Sequence, residues 1–132
     1  MKKFRFLDWQ VYKDSKKLFR EILPIIDKLP QGRRIELGGQ IVRSAQSIVL
    51  NIAEGSGKAS DKELNRFVEI ALGSAYETLA GLDILRENNL MSQVKFVELE
   101  KQLSSICGQL GGFKKVMDVP TNNRQPTTNN KD

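Results

Sequence analysis

The stretch FVELEKQLSSICGQLGGFKKVM, Phe96 to Met117, places Phe96, Leu99, Leu103, Ile106, Leu110, Phe113 and Met117 at alternating intervals of three and four residues. That interval lines apolar side chains along one side of a helix, as in the seam of a coiled coil. Cys107 lies beside the seam and reads as a small buried hydrophobe, not a nucleophile. Gly108, Gly111 and Gly112 lower helix propensity, so close backbone packing or fraying is expected there.

Upstream, Asn88-Asn89 breaks the pattern and Ser92 is the expected cap of this fourth helix. Ser60 with Glu63 forms a capping box, and a third helix is expected from there to about Asn88. The second helix is expected from about Ile35 to Ala53. Ile41, Ala45, Ile48 and Ile52 form its stripe, and Gly55-Ser56-Gly57 its stop. In the first, from Asp8 to Leu29, Tyr12, Phe19, Ile22, Leu23, Ile26 and Leu29 share a face while Lys13, Lys17 and Arg20 fall elsewhere. Pro24 predicts a kink near Leu23 or a break, and Pro30-Gln31-Gly32 turns the chain.

With no strand alternation, these spans predict an all-α, up-down-up-down antiparallel four-helix bundle over residues 1–117. Residues 118–132, DVPTNNRQPTTNNKD, are expected to be a disordered polar tail.

At 132 residues, with 39% apolar and 28% charged side chains, the chain has room for one domain. No apolar run approaches the ~20 residues that cross a bilayer, and Met1-Lys2-Lys3-Phe4-Arg5 is not an export signal, so a cytoplasmic protein without membrane contact is expected. A single cysteine cannot form an internal disulfide, and the absence of histidine removes Ser-His-Asp triads, Cys-His pairs and His-containing zinc sites. Gly55-Ser56-Gly57-Lys58-Ala59 fails as a phosphate loop. Ile52 stands where the first glycine belongs, and Ala59 where Ser or Thr must follow the lysine. Glu54 and Glu77 lack the Glu-x-x-His partners of a di-iron bundle. No cofactor, metal site or enzymatic activity is expected.

The net charge of +5 is concentrated at one end. Residues 1–34 hold ten Lys/Arg against four Asp/Glu, the rest eleven against twelve. Lys13, Lys17, Arg20, Arg33 and Arg34 are therefore the candidate nucleic-acid-binding set, Arg33 and Arg34 at the link between two helices. No base-reading motif or aromatic platform accompanies them, so binding is expected to follow RNA backbone and shape.

The third helix is apolar on two sides. Val68, Leu72, Ala75, Leu79 and Leu82 form one stripe; Ile70, Gly73, Glu77, Gly81 and Ile84 lie opposite. On the second helix Arg43, Ser47, Leu50 and Glu54 lie opposite the core stripe. A monomeric bundle needs one buried face per helix, so these second faces, with Asn51, are the candidate subunit contacts. Gly73 and Gly81 would admit another backbone, and Arg43 is expected to pair with Glu77 within or between subunits.

Gln40-Ile41-Val42-Arg43-Ser44-Ala45-Gln46-Ser47-Ile48-Val49-Leu50-Asn51-Ile52-Ala53-Glu54-Gly55, followed by Ala71-Leu72-Gly73-Ser74-Ala75-Tyr76-Glu77-Thr78, resembles the four-helix bundle proteins encoded in intervening sequences of bacterial 23S ribosomal RNA genes. The likeness spans about residues 4–117, and Asn51-Ile52-Ala53-Glu54-Gly55 is its most specific part. It implies a homopentamer. It also implies kinship with the accessory protein of diversity-generating retroelements, which binds a reverse transcriptase and nucleic acid. Val42 stands where the family commonly has an arginine before Arg43, and Val49 where it often has proline.

The function expected from the sequence is a non-enzymatic homo-oligomeric bundle contacting structured RNA through its basic amino-terminal surface. The alternative is an adaptor that docks a reverse transcriptase or another protein partner.

Overall fold

The computed structural model describes residues 3–118, and among them every regular element is helical. A 3₁₀ turn, Arg5–Asp8, leads into α1, Gln10–Asp27. Beyond Pro30 the chain is helical at Gln31–Arg33, widens into a π-helical segment, Arg34–Gly38, and runs on as Gly39–Ser56. These three spans join without a non-helical residue and are called α2. The remaining helices are α3, Asp61–Glu87, and α4, Gln93–Asp118. The expected tail beyond Asp118 lies outside the described residues.

The bundle closes in a ring, with α2 on α3, α3 on α4, and α1 bridging α2 and α4. Contact register shows that neighbours are antiparallel. Ser44 meets Thr78 while Ser47 meets Ser74; Glu21 meets Lys95 while Asp14 meets Gln109. The up-down-up-down expectation is met. Leu18, Ile22, Ile48, Leu82, Leu99 and Ile106 are fully buried at the centre, each contributing roughly 1.5–3 kcal/mol.

The links obey local chemistry. Ser60 Oγ accepts from Glu63 N at 3.2 Å and Ser92 Oγ from Lys95 N at 3.0 Å, so both expected caps form. At the end of α3, Asn89 takes a left-handed φ of 59°. Leu90 N then donates to Leu85 O at 2.8 Å and Asn89 N to Arg86 O at 3.1 Å, a Schellman closure that explains the Asn88-Asn89 break.

The expectations for α1 and for the start of α2 need correction, and two others are sharpened. On α1 the core line is Val11, Ser15, Leu18, Ile22 and Ile26; Tyr12 and Phe19 are half-buried and Leu23 is exposed. The helix does not break at Pro24, which is exposed, so its ring removes one hydrogen bond on the wet side. Second, α2 begins before Ile35. Third, the expected Gly55-Ser56-Gly57 stop holds, with Gly57 as the C-cap, but the helix runs past Ala53 through Gly55. A Cβ there would lie 2.9 Å from Phe67 Cβ and 3.1 Å from Leu64 Cδ1, so the glycine lets α3 approach α2. Finally, of the alternatives for Gly108, Gly111 and Gly112, close packing is not made among the described residues, since outside the helix's own backbone nothing lies within 4 Å of a Cβ built at any of them.

Candidate nucleic-acid interface

Lys13, Lys16, Lys17 and Arg20 are spaced to fall along one exposed edge of α1, opposite its core line. Two of the three acidic residues of the helix point elsewhere, and the third, Asp27, is exposed on the same side two turns beyond Arg20. Asp14 accepts from Gln10 Nε2 at 2.8 Å and from Gln109 Nε2 at 2.9 Å. Glu21 accepts from Gln102 Nε2 at 2.9 Å and from Lys95 Nζ at 3.2 Å. The Gln102 bond holds the Glu21 carboxyl below its ordinary value; Lys95 and the more distant charge of Lys17 act the same way, and burial opposes them. Burial would lower the Lys95 ammonium, but its hydrogen bonds to Glu21 and Glu98 overcome that and raise it. Both carboxylates are thus engaged with α4, while Lys13, Lys17 and Arg20 make no ion pair among the described residues.

Arg33 and Arg34 are exposed beyond the far end of α1, in the first turns of α2 and not in a link between helices as expected. Arg34 Nη2 reaches back to Leu29 O at 3.4 Å. The five candidate cations therefore divide into a group of three along α1 and a pair at its far end. An 18-residue helix spans about 27 Å, so they could follow a strand but not surround a point.

At the near end stands a feature not expected from the sequence. Phe4 meets Phe6 edge-on at 6.4 Å between centroids, Phe6 meets Tyr12 edge-on at 4.8 Å, and Lys16 Nζ sits 4.7 Å from the Tyr12 ring centre. Arg5 lies over Trp9 at 5.3 Å and donates to Ser56 O at 3.2 Å, while Trp9 packs on Phe113. An aromatic chain thus adjoins the cationic edge.

The second faces of α2 and α3 are exposed, as expected: Leu50 at 55%, Ile70 at 41% and Ile84 at 47%. Between them a groove of about 180 Å³ is lined by Leu37, Gln40, Ile41, Glu77, Ala80, Gly81 and Ile84. Arg43 and Glu77 form no ion pair within the chain, because the Arg43 guanidinium folds back over Gly39. Glu54 instead faces Lys58 at 4.0 Å. Gly73 is open to solvent, but a Cβ at Gly81 would stand 2.6 Å from Ile41 Cγ1, so Gly81 already serves an approach inside the bundle.

Ser47 and Asn51 belong to a polar ladder between α2 and α3. Asn51 Nδ2 donates to Ser47 Oγ at 2.9 Å, Ser74 Oγ donates to Ser47 Oγ at 2.8 Å, and Ser44 and Thr78 share a 2.8 Å bond.

The model of a family described as 23S rRNA-intervening sequence protein matches residues 7–112. The chain belongs to that family. A solved structure from Bacteroides thetaiotaomicron, a protein of unknown function from the S23 ribosomal protein family, superposes with a TM-score of 0.74 at 24% identity. The alignment covers 80% of this chain and 98% of that one, and it establishes the shared fold. No functionally curated protein matches.

For this 23S rRNA-intervening sequence family member, the matched span contains the α1 edge, the Arg33-Arg34 pair and the α2–α3 ladder, but begins after Phe4 and Phe6. No helix among the described residues is long and apolar enough to cross a membrane. Sequence reading missed Ser44, Ser74 and Thr78 as ladder members. Their available signal was the helical spacing of 44 to 47 and 74 to 78. It also missed Phe4, Phe6 and Lys16, though five of the nine aromatic residues fall within the first nineteen positions.

Proposed function

We propose that this family member is a non-enzymatic, cytoplasmic homo-oligomer that contacts RNA along the outer edge of α1. The observation that carries this reading is the division of charge on one helix: Asp14 and Glu21 are bound to α4, and Lys13, Lys17 and Arg20 have no ion-pair partner among the described residues. Such a row attracts a polyanion through Coulomb forces and counterion release. If five phosphates are engaged, log K falls against log salt with a slope of about −3.5 to −4.5. A flat salt response, or unchanged affinity after Lys13, Lys17 and Arg20 are all replaced by Gln, refutes it.

The exposed Leu50, Ile70 and Ile84 support association between copies, up to the pentamer that the family resemblance suggests, and repetition of the cationic edge would then add avidity. In that assembly Arg43 of one copy would meet Glu77 of the next. Light scattering gives the mass directly, and a single-copy species at working concentration removes this part. The same exposed faces favour the second reading, a protein adaptor. A direct complex with a purified reverse transcriptase that survives nuclease treatment would support it.

A further inference from the structure

We propose that the aromatic end of the α1 edge is a stacking platform for unpaired bases, so that the RNA engaged there is single-stranded and not a continuous duplex. This inference rests on the RNA reading above and names the class of RNA. Phe4 is 56% exposed, so much of its ring is open to a ligand. It is not loose, because it adjoins Phe6, Phe6 adjoins Tyr12, and Arg5 ties the turn to Ser56 O. A ring already held in place loses little freedom when a ligand stacks on it.

Charge selects the occupant. Residues 3–20 hold six cations against two carboxylates, and one of those, Asp14, is engaged by Gln10 and Gln109. Lys3 Nζ lies 5.6 Å from the Phe4 ring centre and Lys16 lies over Tyr12. Lys16 continues into the row of Lys13, Lys17 and Arg20. Exposed aromatic surface interleaved with lysines and leading into a cationic row is the arrangement that takes bases on the rings and phosphates on the ammonium groups. Every base has a π-face, so such binding is indifferent to sequence. Bases in an A-form duplex are stacked on each other and cannot reach a ring.

The test uses the full chain with two probes: an unstructured oligouridylate carrying one 2-aminopurine, and a blunt RNA duplex of equal length. The expected results are preference for the single strand, quenching of the 2-aminopurine, and for Phe4→Ala a loss of about 5- to 150-fold on the single strand, the worth of one stacked base, with duplex affinity unchanged. Phe4→Tyr should restore both quenching and affinity. If Phe4→Ala binds the single strand like the parent, or weakens both probes equally, the platform is refuted. The RNA reading still stands when replacing Lys13, Lys17 and Arg20 by Gln abolishes binding. Binding of neither probe by the parent overturns both proposals. A smaller assembly on Phe4→Ala, seen by light scattering, would assign the ring to a contact between copies and overturn the platform alone.

Discussion

Ser44 and Thr78 face each other across the α2–α3 seam with their hydroxyl oxygens 2.8 Å apart, and both residues are buried. Two hydroxyl protons serve three contacts, because Ser44 Oγ also lies 3.0 Å from Ile41 O and Thr78 Oγ1 2.8 Å from Ser74 O, so one hydroxyl donates across the seam while the other donates to its own helix. The pair fixes the sliding register of the two helices with hydroxyls that would otherwise be costly to bury.

Thr78→Val keeps the shape and removes the hydroxyl. It should lower stability by about 1–2 kcal/mol and the melting temperature by several degrees. Ser44→Ala combined with Thr78→Val should cost less than the sum of the single changes, because neither partner is then left unpaired. Thermal denaturation of the three variants measures the coupling, and strict additivity would contradict it.

Glu21 makes stability depend on pH. Its folded carboxyl titrates below the ordinary 4.5, so its contribution is present above that value and disappears as pH falls through the lower, folded value. Glu21→Gln should therefore melt below the parent at neutral pH, by no more than about 1 kcal/mol, with the gap closing in acid. A gap that persists undiminished in acid would mean that the loss is one of shape and not of charge.

Gly73 faces outward on α3 while Gly81 faces α2, and the two should respond oppositely to alanine. Gly81→Ala places a methyl 2.6 Å from Ile41 Cγ1 and should cost about 1–3 kcal/mol. Gly73→Ala meets open space in the single chain and should gain up to about 1 kcal/mol of helix propensity. If Gly73→Ala instead lowers the molecular mass by light scattering, another copy comes close to that position.

Cys107 is half-buried, and burial pushes its thiol above 9.0. Alkylation by iodoacetamide at neutral pH should be slow in the folded protein and faster by at least about tenfold after denaturation. Equal rates would show the sulfur to be open and activated.

The seam of α4 was legible because Phe96, Leu99, Leu103, Ile106 and Leu110 have few apolar competitors on the other sides of that helix, and all five are buried. On α1 two apolar lines run side by side, Val11-Leu18-Ile22 and Tyr12-Phe19-Leu23. Periodicity alone does not say which is central; that is settled by where α2 and α4 sit. Leu50 was correctly placed outward for the same reason that α4 was readable: the opposing stripe of Ile41, Ala45, Ile48 and Ile52 is unambiguous. The Ser44–Thr78 ladder was hidden, since serine and threonine on a helix look like surface until the facing helix is known. The clustering of Phe4, Phe6 and Tyr12 depends on the 3₁₀ turn folding back, which no spacing rule encodes.

Trp9 rests on Phe113, and Arg5 is tied to Ser56 O. During synthesis Trp9 must wait for almost the whole bundle to emerge before its aromatic neighbour exists. A chain cut short within α4 would thus keep its cationic row and the Arg5 tie to Ser56 but leave Trp9 without its floor, and any task that needs both moorings belongs to finished molecules alone.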